Sequence, residues 1–235
     1  MATIVDPRTS DAVQAPAGGA HQTPKKAGFN KGLAVGLGAV AVAVGGYVAL
    51  ASGGRKETFA YRALEQARST AEGGNLAAAT AELQKVITTY EGTEAAAEAV
   101  ITLNQARLVN GQSELAAVNL REFLAGDPPA KYRAPAYGLL GSALENSKKP
   151  AEAADAYQQA FGATELEYLK AEYLVHAGRA YAMAGKQAEA RKSYEQVLST
   201  YPNSPAKTEA SVRLAELTGG HLPEAPKAAG ASAQR

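Results

Sequence analysis

The stretch GRAYAMAGKQAEARKSYEQVLSTYPNSP, residues 178–205, decides the fold. It carries Ala190 with an aromatic residue four positions later, Tyr194, and a glycine five positions earlier, Gly185. Side chains three, four and seven residues apart lie on one face of an α-helix. Glycine adopts the left-handed backbone that commonly ends a helix, and Pro202 cannot continue one. The stretch therefore predicts the end of one helix, a turn and a second helix.

The same pattern recurs at a period of 37 residues. Three alanines precede Ala190 at this period, and the positions around them keep their character. The repeated sets are Ala79, Ala116, Ala153 and Ala190; Leu83, Leu120, Tyr157 and Tyr194; and Gly74, Gly111, Lys148 and Gly185. A long fixed period with helical spacing inside each unit is typical of stacked helical hairpins. The alanines are expected where two helices approach closely, and the larger residues are expected to fill the space between them.

These residues resemble the signature of the tetratricopeptide repeat. Gly141, Ala153 and Tyr157 stand where that signature has glycine, alanine and an aromatic residue. The first unit matches least well, because Ala67 takes the place of the glycine. The resemblance implies an all-α, TPR-like α-solenoid of about four hairpins and a C-terminal capping helix. The expected units are about 60–93, 97–130, 134–167 and 171–204, with the capping helix over 205–218.

An uncharged segment precedes the repeats. Residues 32–50, GLAVGLGAVAVAVGGYVAL, would form a helix about 28 Å long, close to the bilayer core of about 30 Å. We therefore expect one transmembrane helix over 32–52, ahead of a repeat domain over 55–218. Residues 1–31 contain few large apolar residues and are expected to form a disordered N-terminal tail. Residues 219–235 are expected to form a second, flexible tail.

The charges that flank this segment predict its orientation. Lys25, Lys26 and Lys31 precede it, whereas Arg55 and Lys56 follow it. This mild excess favours an N-terminus in the cytoplasm and a repeat domain on the other side of the membrane.

A cleaved signal peptide is the alternative interpretation. Ala49-Leu50-Ala51 has the small-x-small pattern of a cleavage site. The apolar run and the 31 residues before it are long for a signal peptide, which favours the uncleaved anchor. The two interpretations place the repeat domain in the same compartment and differ in whether it stays tethered.

The composition argues against several classes of function. Lys and Arg total 24 and Asp and Glu total 23, so no excess of positive charge points to nucleic acid as a partner. The chain contains no cysteine, which rules out disulfides and thiol chemistry. We find no nucleophile motif, phosphate-binding loop or metal-ligand spacing in the sequence, so no enzymatic activity, cofactor or metal is expected. His176 is expected to be a packed or surface residue.

The resemblance implies that the binding site is a concave groove lined by the first helix of each hairpin. The positions it assigns to that groove are Tyr61, Leu64 and Arg68; Glu98, Ile101 and Gln105; Gly138, Ser142 and Glu145; and Glu172, Val175 and Arg179. The set is mixed and mildly apolar. It lacks the Lys/Asn/Arg cluster with which some members of the family hold a chain-terminal carboxylate. Extended or helical protein segments are therefore the expected ligands.

The layout resembles the bacterial family of ancillary SecYEG translocon subunits, which are single-pass membrane proteins with a periplasmic TPR domain. The resemblance implies a non-enzymatic scaffold in the bacterial inner membrane that assists secreted or membrane proteins. Its partners would then be translocon subunits and periplasmic chaperones. The alternative is a periplasmic scaffold that coordinates the cell envelope or cell division and has lost a signal peptide.

Overall fold

The structure is a computed structural model that describes residues 53–219, and this part of the chain is helical, without strands. Its helices form four consecutive hairpins, hairpins 1 to 4, and a final single helix. In chain order they are α1 (53–72), α2 (Leu76–Thr89), α3 (Glu94–Val109), α4 (Ser113–Ala125), α5 (Ala130–Asn146), α6 (Pro150–Gly162), α7 (Glu167–Met183), α8 (Gln187–Thr200) and α9 (Ala206–Leu217).

The predicted inner faces of the hairpins are confirmed. Ala116, Ala153 and Ala190 are fully buried, and so are the rings of Tyr157 and Tyr194 four residues after the last two alanines. Burying one such aromatic side chain removes about 150–250 Å² of surface from water. The repeating alanine and its larger neighbour therefore form the core of each hairpin, as the 37-residue period predicts.

Several predicted segments lie outside the described residues. They are the transmembrane helix over 32–52, the N-terminal tail over 1–31 and the C-terminal tail beyond residue 219. Within 53–219, the helices are all too short or too polar to cross a membrane.

A left-handed residue closes each hairpin turn. Gly74, Gly111 and Gly185 have φ angles of 84°, 73° and 76°, and Lys148 takes the same repeat position with φ 61°. In each turn the next residue donates its backbone N–H to the carbonyl five residues earlier, as from Lys149 to Leu144 at 2.9 Å. This bond and the left-handed residue are the features of a Schellman C-cap. Lys148 adopts a conformation that glycine tolerates better than any other residue.

Paired positions on the two helices of a hairpin compensate each other in size. A Cβ atom on Gly141 would lie 2.5 Å from Cε1 of Tyr157, and one on Gly178 would lie 2.5 Å from Cε1 of Tyr194. The tyrosine rings therefore need glycine opposite them. Where the position on the first helix holds a residue larger than glycine, the position on the second helix holds leucine instead of tyrosine. The four pairs in chain order are Ala67–Leu83, Asn104–Leu120, Gly141–Tyr157 and Gly178–Tyr194.

Three hydrophobic clusters hold the stack together. The first joins α1, α2 and α3, the central one joins α4 to α7, and the third joins α7, α8 and α9. In the third, Ala210 and Leu214 of α9 are fully buried beside Leu174 of α7. α9 therefore covers the apolar end of hairpin 4, which an array of repeats needs for solubility.

Candidate functional site

Ion pairs between successive first helices identify a common surface. Arg68 of α1 pairs with Glu98 of α3, and Arg179 of α7 pairs with Glu145 of α5. Lys131 of α5 pairs with Glu94 of α3 and so completes the series. We call this surface the groove face. It comprises Tyr61, Arg68, Glu94, Glu98, Gln105, Lys131, Ser142, Glu145, Glu172 and Arg179.

At one end of the groove face, Arg68 bridges two carboxylates. Its Nη1 donates to Glu65 Oε1 at 2.7 Å, and its Nη2 donates to Glu98 Oε1. The hydrogen bond to Glu98 raises the pKa of the guanidinium above its usual value. About a third of each side chain in the Arg68–Glu98 pair remains exposed, so the pair is within reach of a ligand.

The start of α3 carries a second polar group. Glu94 Oε2 accepts hydrogen bonds from Lys131 Nζ at 2.6 Å and from the Tyr61 hydroxyl at 3.5 Å. The bond with Lys131 lowers the pKa of Glu94 and raises the pKa of Lys131. Three successive first helices are thereby connected through the carboxylate of Glu94.

At the other end of the groove face, Glu145 is the centre of a denser polar cluster. It accepts two bonds from Arg179, from Nε at 3.2 Å and from Nη2 at 2.8 Å, and a third from the Tyr157 hydroxyl at 2.7 Å. Ser142 Oγ lies 3.1 Å from that hydroxyl oxygen. The side chain of Glu145 is only 12% exposed and that of Arg179 is 33% exposed. The Glu145 carboxylate is therefore held by paired donors rather than by water.

Gly141 allows Tyr157 to reach this cluster. Tyr157 belongs to α6, the second helix of its hairpin, and its ring crosses α5 where Gly141 leaves space. Burial raises the pKa of the Tyr157 hydroxyl, which therefore stays protonated and donates to Glu145. A core residue thus supplies a hydrogen-bond donor to the groove face.

His176 lies beside the same cluster. Its ring centroid is 5.2 Å from that of Tyr157, and its Nε2 is 3.6 Å from Glu172 Oε1. Its Nδ1 is buried without a hydrogen-bond partner among the described residues. Burial, and then the nearby positive charge of Arg179, lower the pKa of His176. The histidine is therefore packed as a neutral ring.

The structure corrects one repeat position of the predicted groove. Val175 is only 2% exposed and lies in the third cluster, and Leu64 is fully buried against α3. Gly138 is covered by the Tyr173 ring, and Ile101 is partly buried against the central cluster. These four residues stand 37 positions apart and share one physical role, because each packs toward the next helix of the stack. They are therefore not a free binding surface.

The other predicted residues lie on the groove face, where Glu145 is nearly covered, with 12% of its side chain exposed. Ser142, Glu145 and Arg179 come together in one cluster, whereas Tyr61 and Arg68 contact α3 through Glu94 and Glu98. Gln105 is exposed in the middle of the groove face and makes no side-chain hydrogen bond within residues 53–219.

Two groups on the groove face are absent from the groove predicted from the sequence, the Lys131 side chain and the Tyr157 hydroxyl. Lys131 stands 37 residues after Glu94 and has the opposite charge, a pattern that identifies an ion pair between adjacent repeats. The sequence predicts the Tyr157 ring in the core, and the structure adds that its hydroxyl reaches Glu145. The presence of tyrosine rather than phenylalanine opposite Gly141 was the available signal.

The groove face offers hydrogen bonds and paired charges. Within residues 53–219, His, Asp and Glu side chains do not gather in a group of three or more that could hold a metal ion. A polypeptide that lies along the face would contact Gln105 and the exposed sides of the ion pairs. The arrangement is therefore suited to recognising polar side chains and backbone groups of a protein segment.

Comparison with known families agrees with the repeat architecture. The profile described as "Tetratricopeptide repeat-like domain" matches residues 48–174, more than half of the chain, and the profile described as "Tetratricopeptide repeat" matches residues 172–204. The chain therefore belongs to the tetratricopeptide repeat-like family. Its fold is that of a protein–protein interaction scaffold. A search of curated proteins gave no significant match.

Solved structures show the same fold. The crystal structure of MamA is 22% identical with a TM-score of 0.57, over 71% of this chain and 83% of that chain. A tetratricopeptide repeat protein from Parabacteroides merdae is 14% identical with a TM-score of 0.55, over 68% and 60% of the two chains. TPR-like repeats of a putative kinesin light chain from Podosopora anserina are 19% identical with a TM-score of 0.55, over 68% and 85%. At these identities the likeness concerns the fold alone.

Proposed function

We propose that this protein is a non-enzymatic, membrane-anchored scaffold whose groove face holds segments of partner proteins. The observation that carries the proposal is the groove face, where successive first helices present accessible polar side chains in one continuous series. Stacked helical repeats form extended concave binding surfaces, and grooves of this kind suit extended or helical protein segments. Ion pairs at its two ends and Gln105 between them favour a segment with mixed charge and free backbone hydrogen-bonding groups.

The proposed location is the bacterial inner membrane, with residues 32–52 as the anchor and the N-terminus in the cytoplasm. The uncharged run and the lysines before it support this orientation. The repeat domain would then lie in the periplasm. Its resemblance in layout to ancillary translocon subunits supports a role in assisting secreted or membrane proteins, with translocon subunits and periplasmic chaperones as partners.

Site-specific photo-crosslinking in cells tests this proposal. A photoreactive amino acid at Gln105 on the groove face is compared with one at Lys192, an exposed residue of α8 away from it. We expect adducts with translocon subunits or emerging secreted proteins from position 105 and none from position 192. Equal adducts from the two positions would contradict binding at the groove face. Adducts only with division or outer-membrane proteins would contradict the translocon role.

The second candidate is an envelope or cell-division scaffold released from the membrane. It is favoured by the cleavage-like sequence Ala49-Leu50-Ala51. The intact mass of the protein purified from membrane and soluble fractions separates the candidates. A soluble species that begins at Ser52 supports the released scaffold, whereas a full-length species in the membrane fraction supports the anchor.

A further inference from the structure

A cleft separates two second helices on the side of the array away from the groove face. It lies between α2 and α4, encloses about 730 Å³, and has an apolar floor made by Ala96 and Val100 of α3. Ile87 of α2 and Phe123 of α4 form its walls. We call it the α2–α4 cleft. A volume of this size accommodates one or two large side chains of a ligand.

An ion pair that joins two second helices elsewhere in the array is absent at this cleft. Between the next two second helices, α4 and α6, Arg121 forms an ion pair with Glu152. The residues 37 positions earlier are Gln84 and Leu115, which cannot form an ion pair. The link between α4 and α6 is therefore missing between α2 and α4.

The apolar surface of the cleft continues along α4. Leu115 is 50% exposed and Val118 is 61% exposed. They precede Glu122 of the cleft by seven and four residues and so lie on the same side of the helix. Exposed apolar side chains that adjoin a cleft indicate an interaction surface more strongly than scattered ones do.

Two carboxylates of the cleft have no ion-pair partner among the described residues. Three carboxylates line the cleft, Glu91, Glu122 and Asp127. Two cations contact its rim, because Lys56 Nζ donates to the backbone carbonyl of Glu91 at 2.6 Å and Arg107 Nη2 donates to Gln84 Oε1 at 3.5 Å. Asp127 is paired with Arg133 at 2.6 Å. Glu91 and Glu122 form no ion pair within residues 53–219, so both remain available to a cation.

We infer that the α2–α4 cleft docks a short protein segment that carries one or two large apolar side chains next to Lys or Arg. The apolar side chains occupy the floor between Ile87 and Phe123, and the cations meet Glu91 and Glu122. Apolar burial supplies affinity, while the carboxylates select the sign of charge and speed association. This surface is separate from the groove face, so the two could hold different partners at once.

Binding of a designed peptide tests this inference. The fluorescein-labelled peptide GKLFKLG is titrated with the full chain in phosphatidylcholine nanodiscs, with empty nanodiscs as the blank, and anisotropy is measured. The matched peptides are GELFELG, with reversed charge, and GKSSKSG, without apolar side chains. We expect saturable binding of GKLFKLG and binding at least about tenfold weaker for each matched peptide. No saturation by about 1 mM, or equal binding of GELFELG, would overturn the inference.

Two variants locate the binding site. The double variant Q84R/L115E places Arg and Glu at the positions that pair between α4 and α6, at unchanged net charge. The arginine introduced at position 84 would stand beside Arg107, which now donates to Gln84 at 3.5 Å, so the variant adds positive charge at the cleft and should weaken binding of the cationic peptide about tenfold. The variant E91Q/E122Q should weaken binding several-fold and reduce its dependence on salt. The matched control is E114Q/E167Q, which removes two exposed carboxylates outside the cleft and should bind as the unaltered chain does.

Weaker binding caused by the altered cleft can be told apart from weaker binding caused by a loss of fold. Circular dichroism checks each fold, and E91Q/E122Q decides the question alone if Q84R/L115E is unfolded. Unchanged affinity in a folded Q84R/L115E or in E91Q/E122Q would overturn the inference. Sedimentation of the unlabelled chain provides a further test, because a dimer that dissociates in the folded double variant would show that a second copy covers the cleft and would overturn the inference.

Discussion

The hydroxyl of Tyr157 provides the sharpest test of the polar cluster on the groove face. Tyr157→Phe keeps the ring opposite Gly141 and leaves no cavity. It removes the donor to Glu145 Oε2 at 2.7 Å, and a hydrogen bond to a charged group contributes about 1.5–3 kcal/mol. Glu145 keeps both bonds from Arg179, so we expect a loss around the lower end of that range, about 1–2 kcal/mol. This corresponds to a decrease in Tm of about 2–8 °C.

Tyr194→Phe is the matched control. Tyr194 occupies the same repeat position opposite Gly178, and its hydroxyl has no hydrogen-bond partner within residues 53–219. Its replacement should change stability by less than about 0.5 kcal/mol. Tyr157→Ala should cost about 3–5 kcal/mol, because the ring is lost as well. The difference between the Phe and Ala variants separates the hydroxyl from the ring.

Urea unfolding of the full chain, followed by circular dichroism, measures these changes. A double-mutant cycle of Tyr157→Phe with Glu145→Gln isolates their coupling, which we expect at about 1 kcal/mol. Equal losses in Tyr157→Phe and Tyr194→Phe would refute the reasoning. So would a coupling energy below about 0.3 kcal/mol.

Four further substitutions probe the turns, the core and the buried histidine. Lys148→Gly should stabilise the protein by up to about 1 kcal/mol, because glycine adopts the left-handed backbone without the strain that lysine has there. Gly185→Ala should cost about 1 kcal/mol for the same reason. Urea midpoints that move in the opposite directions would contradict this. Ala153→Leu should cost about 1–3 kcal/mol through overpacking, and a calorimetric Tm equal to that of the unaltered chain would exclude the assigned inner position. The pKa of His176 is lowered from 6.5 by burial, so its contribution is present above pH 6.5 and is lost as the pH falls through its lower folded-state pKa. Tm measured from pH 7.5 to pH 5 should therefore fall less steeply in His176→Gln, and parallel curves would argue against a buried neutral histidine.

Much of the hairpin architecture could be predicted because its causes are local. Gly185 ends a helix through its own backbone freedom, and Ala190 and Tyr194 share a face through helical geometry alone. The 37-residue period then identifies equivalent positions in all four units. The predicted groove differs from the structure at the repeat position of Gly138 and Val175. The burial of Val175 depends on α9, and Gly138 is covered by Tyr173 of the following hairpin. Both contacts come from outside the hairpin that contains the residue.

The sequence by itself determined that the chain forms repeated helical hairpins, which positions are small, and where each turn falls, since these properties depend on residues within one unit. Only the tertiary structure decided how the units combine. It brought the Tyr157 hydroxyl to Glu145 and Arg179, and it left α2 and α4 apart where Gln84 and Leu115 cannot pair. Those contacts depend on the offset between stacked hairpins, which arises from packing across many residues and is not encoded in any single spacing.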